Sequence, residues 1–225
     1  MQNRVIEIAS DGVHLSLSRG FLKLTQEGVE IGRIAINDIG ALIIRGYGAS
    51  LSINIASRLA DKNIPVVLCG QNQAPTSIIW PISGHHSQGH IFEAQSNLTK
   101  PNRKRLWQEL IRAKLNAQAD ALEADGINAD DIKSMARFVK SGDPDNIEAQ
   151  AARRYWSRMM RPIEPEFSRN SNQDGINGWL NYGYTVLRAA TARSILAAGL
   201  HPSLSIHHSS RGEALRLASD IMEPF

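Results

Sequence analysis

The sequence predicts an α+β protein on three observations. Alternating apolar residues are confined to the first 45 positions, and tight-turn dipeptides punctuate that stretch. Beyond about residue 90, apolar side chains recur at helical spacing instead. The division this implies is a β-sandwich-like N-terminal domain over 1–75, a linker over 76–90 and an all-α domain over 91–225.

Strands are expected at 5–9, 13–17, 21–26, 29–36 and 41–44. Asp11-Gly12 and Glu27-Gly28 are pairs that supply positive φ in tight hairpins, and Arg19-Gly20 marks a third reversal, so an antiparallel β unit is expected. Leu51, Ile55 and Leu59 then follow at four-residue spacing, an amphipathic helix over 49–62, and an apolar strand over 64–69 closes the unit. The stretch 70–89 is rich in Gly, Gln, Asn, Pro, Ser and His and reads as the linker. After it, helices are expected near 87–97, 102–124, 129–140, 144–160, 174–198 and 211–223. Asp125-Gly126 stops the second of these, Asp143-Pro144 supplies an N-cap and a first-turn proline, and Gly199 with Pro202 ends the longest late one.

With 225 residues, 42% of them hydrophobic and 21% charged, the chain is long enough for a proper core, which excludes disorder, collagen and coiled coil. Cys69 is the sole cysteine, so no internal disulfide is available, and no apolar signal segment is evident at the start. The cytoplasm is the expected compartment. No apolar run approaches the ~18 residues that span a bilayer, so no membrane role is expected. The net charge is +3 and is unevenly spread: residues 1–98 hold seven Lys/Arg against seven Asp/Glu, which leaves 18 against 15 for the rest. Within 100–114, Lys100, Arg103, Lys104, Arg105, Arg112 and Lys114 face Glu109 alone, and an acidic stretch over 120–131 follows. Such blocked charge permits an anionic partner without demanding one.

Asp220 and Glu223 lie three apart in a helical pattern, on one side, and His207-His208 precede them in a loop able to fold back. Two carboxylates and an imidazole make a credible divalent-metal site, although surface acids are more often only solvated. Glu148 lies on a helix with the apolar face Ile147, Ala151, Tyr155 and Met159, flanked by Arg153, Arg154, Arg158 and Arg161. Cations around one carboxylate suit a phosphate backbone brought to a metal, but i to i+4 pairing on a solvated helix looks the same. His85, His86 and His90 form a rival cluster, without thiolates or carboxylates, that reads better as a His-rich linker. Cys69 reads as a buried hydrophobe, and Trp107 as core before base-stacking platform.

The ordered set Glu148-Ala149-Gln150-Ala151-Ala152 with Tyr155-Trp156, Asn177, Leu180-Asn181-Tyr182-Gly183-Tyr184, Leu187-Arg188-Ala189-Ala190, Gly199-Leu200-His201-Pro202, His208 and residues 217–224 resembles the CRISPR adaptation integrase family, most nearly its type II branch. The resemblance covers nearly the whole chain. It implies a catalytic divalent ion, Mg²⁺ or Mn²⁺, held by Glu148, His208 and Glu223, with Asp220 as a secondary acidic candidate. The His-to-acid spacing of the family selects His208 over His207, and Ser205 stands where the family usually has glycine. It also implies that the family runs on past residue 225, so that a C-terminal truncation is expected.

The expected function is metal-dependent DNA endonuclease and integrase chemistry, inserting foreign fragments into a CRISPR array by 3′-hydroxyl attack on a phosphodiester. Phosphate contacts are expected from Arg103, Lys104, Arg105, Arg153, Arg154 and Arg158. Double-stranded DNA (the foreign fragment and the CRISPR repeat), a second copy through the N-terminal domain, a small ferredoxin-like partner subunit and further type II adaptation proteins are the expected partners. A stand-alone structure-selective nuclease and a non-catalytic DNA-binding scaffold remain the alternatives.

Overall fold

The computed structural model describes residues 4–70, 75–79, 81, 88–170, 175–210 and 212–225. It is a mixed α+β structure with two compact units, Met1–Phe92 with Trp179–His201, and Glu93–Gly178 with Pro202–Phe225.

In the first unit the strands are β1 (Arg4–Ile8), β2 (His14–Ser18), β3 (Phe21–Gln26), β4 (Val29–Ala35), β5 (Ile39–Ile44), β6 (Ser50–Leu51), β7 (Val66–Cys69) and β8 (Pro75–Ile79), with helix α1 (Ile53–Asp61) before β7. One sheet has the order β4-β3-β2-β6 and the other β1-β5-β7-β8. The β2–β3 and β3–β4 hairpins form where expected, because Arg19-Gly20 and Glu27-Gly28 place both turn residues at positive φ, 47° and 85° in the first and 51° and 82° in the second.

The expectation of a purely antiparallel unit is corrected: β1 and β7 both flank β5 in parallel. Asp11-Gly12 is not a hairpin but a passage between sheets, since β1 pairs with β5 and β2 with β3 and β6. The reason lies in β5 itself. All six of its residues are buried, so it lacks the alternation of a half-solvated strand and is built for the sheet interior. Leu42 and Ile44 join Leu15 and Leu22 of the other sheet and Ile55 and Leu59 of α1 in one core. Ala41 and Ile43 point the other way, to Val186 and Ala189. These last belong to α6 (Ile176–Ala197), which explains why Trp179–His201 falls in this unit. Ser52 caps α1 by accepting from the Ile55 N–H at 3.5 Å.

The second unit contains α3 (Lys100–Ala124), α4 (Asp130–Phe138), α5 (Ile147–Met160) and α7 (Arg216–Ile221); α2 (Gln88–Ser96) begins in the first unit and ends in the second. Along α3, Trp107, Ile111, Leu115, Ala119 and Leu122 are buried at intervals of four, four, four and three, a single stripe. Ile132 and Ala136 of α4 and Ala151 of α5 pack on it, with Ile147, Tyr155 and Met159 half-buried around them, as their spacing predicts. Gly126 (φ 74°) follows α3 and Gly199 (φ 75°) follows α6 as left-handed stops. Among the described residues no helix is long and apolar enough to cross a membrane.

Candidate active site

Three elements of the second unit carry the candidate ligands. Glu148 is the second residue of α5. The sequence places an N-cap at Asp143 and a proline at the first helical position; the helix instead begins at Ile147, with Asn146 left-handed at φ 52° before it. Asp143 still serves the helix end, its carboxylate accepting from the Ile147 and Glu148 N–H groups at 2.9 and 3.0 Å. The turn holding Asp143 is docked on α3 through the Gly142 N–H, which donates to the Lys104 carbonyl at 3.0 Å. Gly142 is required there: its φ is +79°, and a Cβ would stand 3.0 Å from the Lys104 side chain.

His208 sits in the loop between α6 and α7, and the fully buried Asp220 of α7 organises that loop. Its carboxylate accepts from the backbone N–H groups of Ile206, His207 and His208 at 2.6, 3.2 and 3.0 Å, and faces His208 Nδ1 at 2.7 Å. Burial pushes the Asp220 carboxyl up, but His208 and the three N–H groups outweigh it and hold the pKa below the ordinary 3.8. With Nδ1 turned to Asp220, His208 Nε2 lies 3.9 Å from Glu223 Oε1. The adjacent His207 is otherwise engaged, stacked on Trp107 with ring centroids 4.1 Å apart and planes 7° apart. Ser205 braces the loop, its hydroxyl donating to the His208 carbonyl at 2.5 Å.

Glu223 lies in the turn just beyond α7, so Asp220 and Glu223 bracket the imidazole, one at each nitrogen. Glu148 and Glu223 are joined by a residue that the sequence assigned only to the basic run: Lys114 Nζ donates to Glu148 Oε1 and to Glu223 Oε2, both at 2.5 Å. Burial lowers the pKa of the Lys114 ammonium, yet the charges of Glu223 and Glu148 override it and the net shift is upward. A signal for this was present, since Lys114 falls on α3 between the buried Ile111 and Leu115. A charge so close to an apolar stripe needs a counter-charge.

The donor set of Glu148, Glu223 and His208 Nε2 is chemically apt for a divalent cation, and an ammonium already stands between the two carboxylates. Each oxygen stands 2.5 Å from the nitrogen between them, farther than the about 2.1 Å of a Mg²⁺–oxygen bond. Among the described residues no three His, Cys, Asp or Glu side chains are grouped closely enough to hold a metal ion as they stand. His85 and His86 lie outside the described residues, and His90 is exposed on α2.

The six cations expected to meet DNA are placed unequally. Lys104 and Arg105 are exposed near the start of α3, and Arg103 Nε donates to the Leu98 carbonyl at 3.2 Å. Arg153 Nε donates to the Ala149 carbonyl of its own helix at 3.2 Å. Arg154 and Arg158 are paired with Asp131, Arg158 through two bonds of 2.7 and 2.8 Å. Trp107 is core, 6% exposed, as the bland reading held.

The family model for CRISPR associated protein Cas1 matches residues 6–225. The chain is 33% identical over 219 residues to the CRISPR-associated endonuclease Cas1 of Neisseria meningitidis serogroup C, covering 96% of this chain and 70% of that protein. It is 28% identical over 253 residues to a CRISPR-associated endonuclease Cas1 of Archaeoglobus fulgidus, covering 95% and 72%. Among solved structures, a CAS1 protein from Thermotoga maritima matches with a TM-score of 0.79 at 15% identity over 98% of this chain and 75% of that one. A casposase bound to integration product matches with a TM-score of 0.78 at 21% identity, over 100% and 69%. At those identities the likeness is one of fold.

Proposed function

This chain belongs to the Cas1 family of CRISPR-associated proteins, and from that premise we propose that Glu148, His208 and Glu223 are the metal-holding residues of its DNA endonuclease and integrase site. The enzyme class follows from the family. The observation that carries the assignment of residues is the convergence of Glu148 and Glu223 on one cation, with His208 Nε2 beside Glu223 and Asp220 behind the ring.

A divalent ion bound there would polarise the phosphodiester and stabilise the leaving 3′-oxygen. Mixed oxygen and nitrogen donors suit Mn²⁺ at least as well as Mg²⁺, with Mg²⁺ favoured by abundance. The protein's own groups do the rest. Asp220 fixes the imidazole so that Nε2 faces the site, Asp143 fixes the helix end that carries Glu148, and Lys114 holds the two carboxylates together while no metal is bound. In the strand transfer so catalysed, the 3′-hydroxyl of an incoming fragment gives up its proton to solvent and bonds to phosphorus, while the bond to the 3′-oxygen of the target strand breaks and that oxygen takes up a proton from solvent. With water as nucleophile the same step is a nick.

The remaining assignments are proposals of the same reading. Residues 91–225, with the segment 179–201 packed in the first unit, act as the helical catalytic part, and residues 1–75 act as a dimerisation domain whose sandwich-like character is supported by the core shared by the two sheets. The partners are double-stranded DNA, a second copy of the chain and a small ferredoxin-like subunit; solved relatives include a Cas6-RT-Cas1--Cas2 complex and a TtCas1-DNA complex. The location is cytoplasmic. Arg103, Lys104, Arg105 and Arg153 are the leading phosphate contacts, ahead of the Asp131-paired Arg154 and Arg158. Neutralising Arg103, Lys104 and Arg105 together should flatten the log-affinity against log-salt slope by up to ~0.9 per lost contact. An unchanged slope would assign them to a solvated face.

The deciding experiment is strand transfer of a pre-processed fragment into repeat DNA, with and without the small subunit, in Mg²⁺, Mn²⁺ or EDTA. The expected result is a covalent branched product that EDTA abolishes and that Glu148→Gln, His208→Ala and Glu223→Gln lose. Nicks without branched product would favour the stand-alone nuclease, and no metal-dependent turnover under any condition would favour the scaffold.

A further inference from the structure

We propose that Lys114 is the resident cation of the site: it neutralises and spaces Glu148 and Glu223 in the metal-free protein, and a divalent ion enters by displacing it. The inference rests on the metal-binding reading above and adds a competitor to it.

The two carboxylates come from elements far apart in sequence, α5 and the turn after α7, and their side chains are only 27% and 20% exposed. Like charges this close and this poorly hydrated repel, so the metal-free fold needs a counter-charge between them. Lys114, itself 17% exposed, supplies it with Nζ 2.5 Å from each. Among the described residues no other Lys or Arg forms an ion pair with either glutamate.

Lysine rather than arginine suits a removable occupant. Its charge is a compact point on a flexible stem, whereas a guanidinium would clamp a carboxylate through two parallel bonds. The charge balance also favours exchange. Two carboxylates and one ammonium leave one negative charge uncompensated, which a divalent ion removes while the ammonium leaves. Both cannot stay between the same oxygens, because metal–oxygen distances of about 2.1 Å draw the carboxylates into the volume that Nζ occupies. Metal binding therefore reports a difference between two cations, and the metal-free chain should remain folded in chelator.

The test is Lys114→Met, which keeps the stem's volume and deletes the charge. Two measurements are made on the full chain: thermal unfolding in EDTA, and Mn²⁺ binding followed by loss of the free-ion EPR signal. The variant should unfold about 4 °C lower in EDTA. It should also bind Mn²⁺ more tightly, on the order of tenfold, the scale on which groups around a metal site act. A purely structural lysine would lower the melting temperature without tightening Mn²⁺ binding. Weaker or unchanged Mn²⁺ binding in Lys114→Met, with the wild type binding normally, would overturn the proposal and leave the metal site standing. Absence of Mn²⁺ binding by both proteins would overturn the metal reading and this inference together. Should Lys114→Met fail to fold, the Lys114→Met/Glu148→Gln double variant decides: recovered folding supports repulsion between the carboxylates, and continued failure refutes it.

Discussion

The two units bury different kinds of side chain. In the first, the interior of the sheets is aliphatic: Leu15, Leu22, Leu42, Ile43, Ile55 and Leu59 are fully buried, and the ion pair of Glu7 with Arg45, to which the Tyr182 hydroxyl donates, is only partly covered. In the second unit, one edge of an equally apolar core is given over to Lys114, Glu148, His208 and the fully buried Asp220. Charges are costly to bury, and each here is matched by a partner. Aliphatic burial fixes a shape, whereas matched charge burial fixes the direction in which a few polar atoms point.

The largest effects should separate the units by readout. Glu148→Gln, His208→Ala and Glu223→Gln should each reduce strand transfer and nicking at least about a hundredfold while circular dichroism remains that of the folded chain, because a ligand is lost and not packing. His207→Ala should be far milder. An inactive His207→Ala beside an active His208→Ala would break the assignment of roles in the loop.

Next in size, Leu42→Ala in β5 should cost about 2–5 kcal/mol in denaturant unfolding, since the cavity opens where both sheets and α1 meet. If the loss were under about 1 kcal/mol, that core would be able to collapse, and the contrast between a rigid aliphatic interior and a charged one would weaken.

Asp220→Asn should lower metal affinity and activity about 10–100-fold, because an amide does not hold the imidazole as the carboxylate does. Its stability cost depends on pH with a definite sign. The Asp220 pKa is depressed below 3.8 in the folded chain, so its contribution is complete above that value and is lost as pH falls through the folded pKa. The gap between wild type and Asp220→Asn should therefore be full at pH 7 and shrink below pH ~4. A gap that widened in acid would contradict the hydrogen-bond pattern.

The smallest expected effect belongs to Asp131. Arg158, then Arg154, hold its carboxyl below the usual carboxylate range, but the pairs are a third or more exposed, so Asp131→Asn should cost only about 0.5–1 kcal/mol. This loss too should fade as pH drops through the acid range. Its sharper readout is DNA binding. Freed from Asp131, Arg154 and Arg158 should tighten binding at low salt, and unchanged affinity would remove them from the DNA surface.

Local chemistry made much of the fold readable. Arg19-Gly20 and Glu27-Gly28 announce their hairpins because positive φ is a property of the turn residues themselves, and the α3 stripe is visible because its period is internal to the helix. The parallel neighbours of β5 were not readable. An unbroken apolar run says that a strand is covered on both faces but not by what. Nor was the return of α6 to the first unit, since Val186 and Ala189 look like any helix stripe until the sheet they cover is known. In the proposed site, Glu148, His208 and Glu223 are named by family resemblance, whereas Lys114 and Asp143 act through partners 34 and five residues away that composition cannot reveal.

That α6 belongs to the first unit has a consequence for biogenesis. The face of the sheet formed by Ala41, Ile43 and Val67 is covered by Val186 and Ala189, and roughly a hundred residues separate the last strand from that cover. At ~5–20 residues per second, a ribosome needs about 5–20 s to supply it. Through that interval the nascent sheet presents an aliphatic face without its α6 cover, the kind of surface that chaperones engage and that aggregates at high concentration. Maturation of the N-terminal unit is thus tied to synthesis of α6, and a nascent chain stalled before residue 186 would hold an unfinished sheet however well its hairpins had closed.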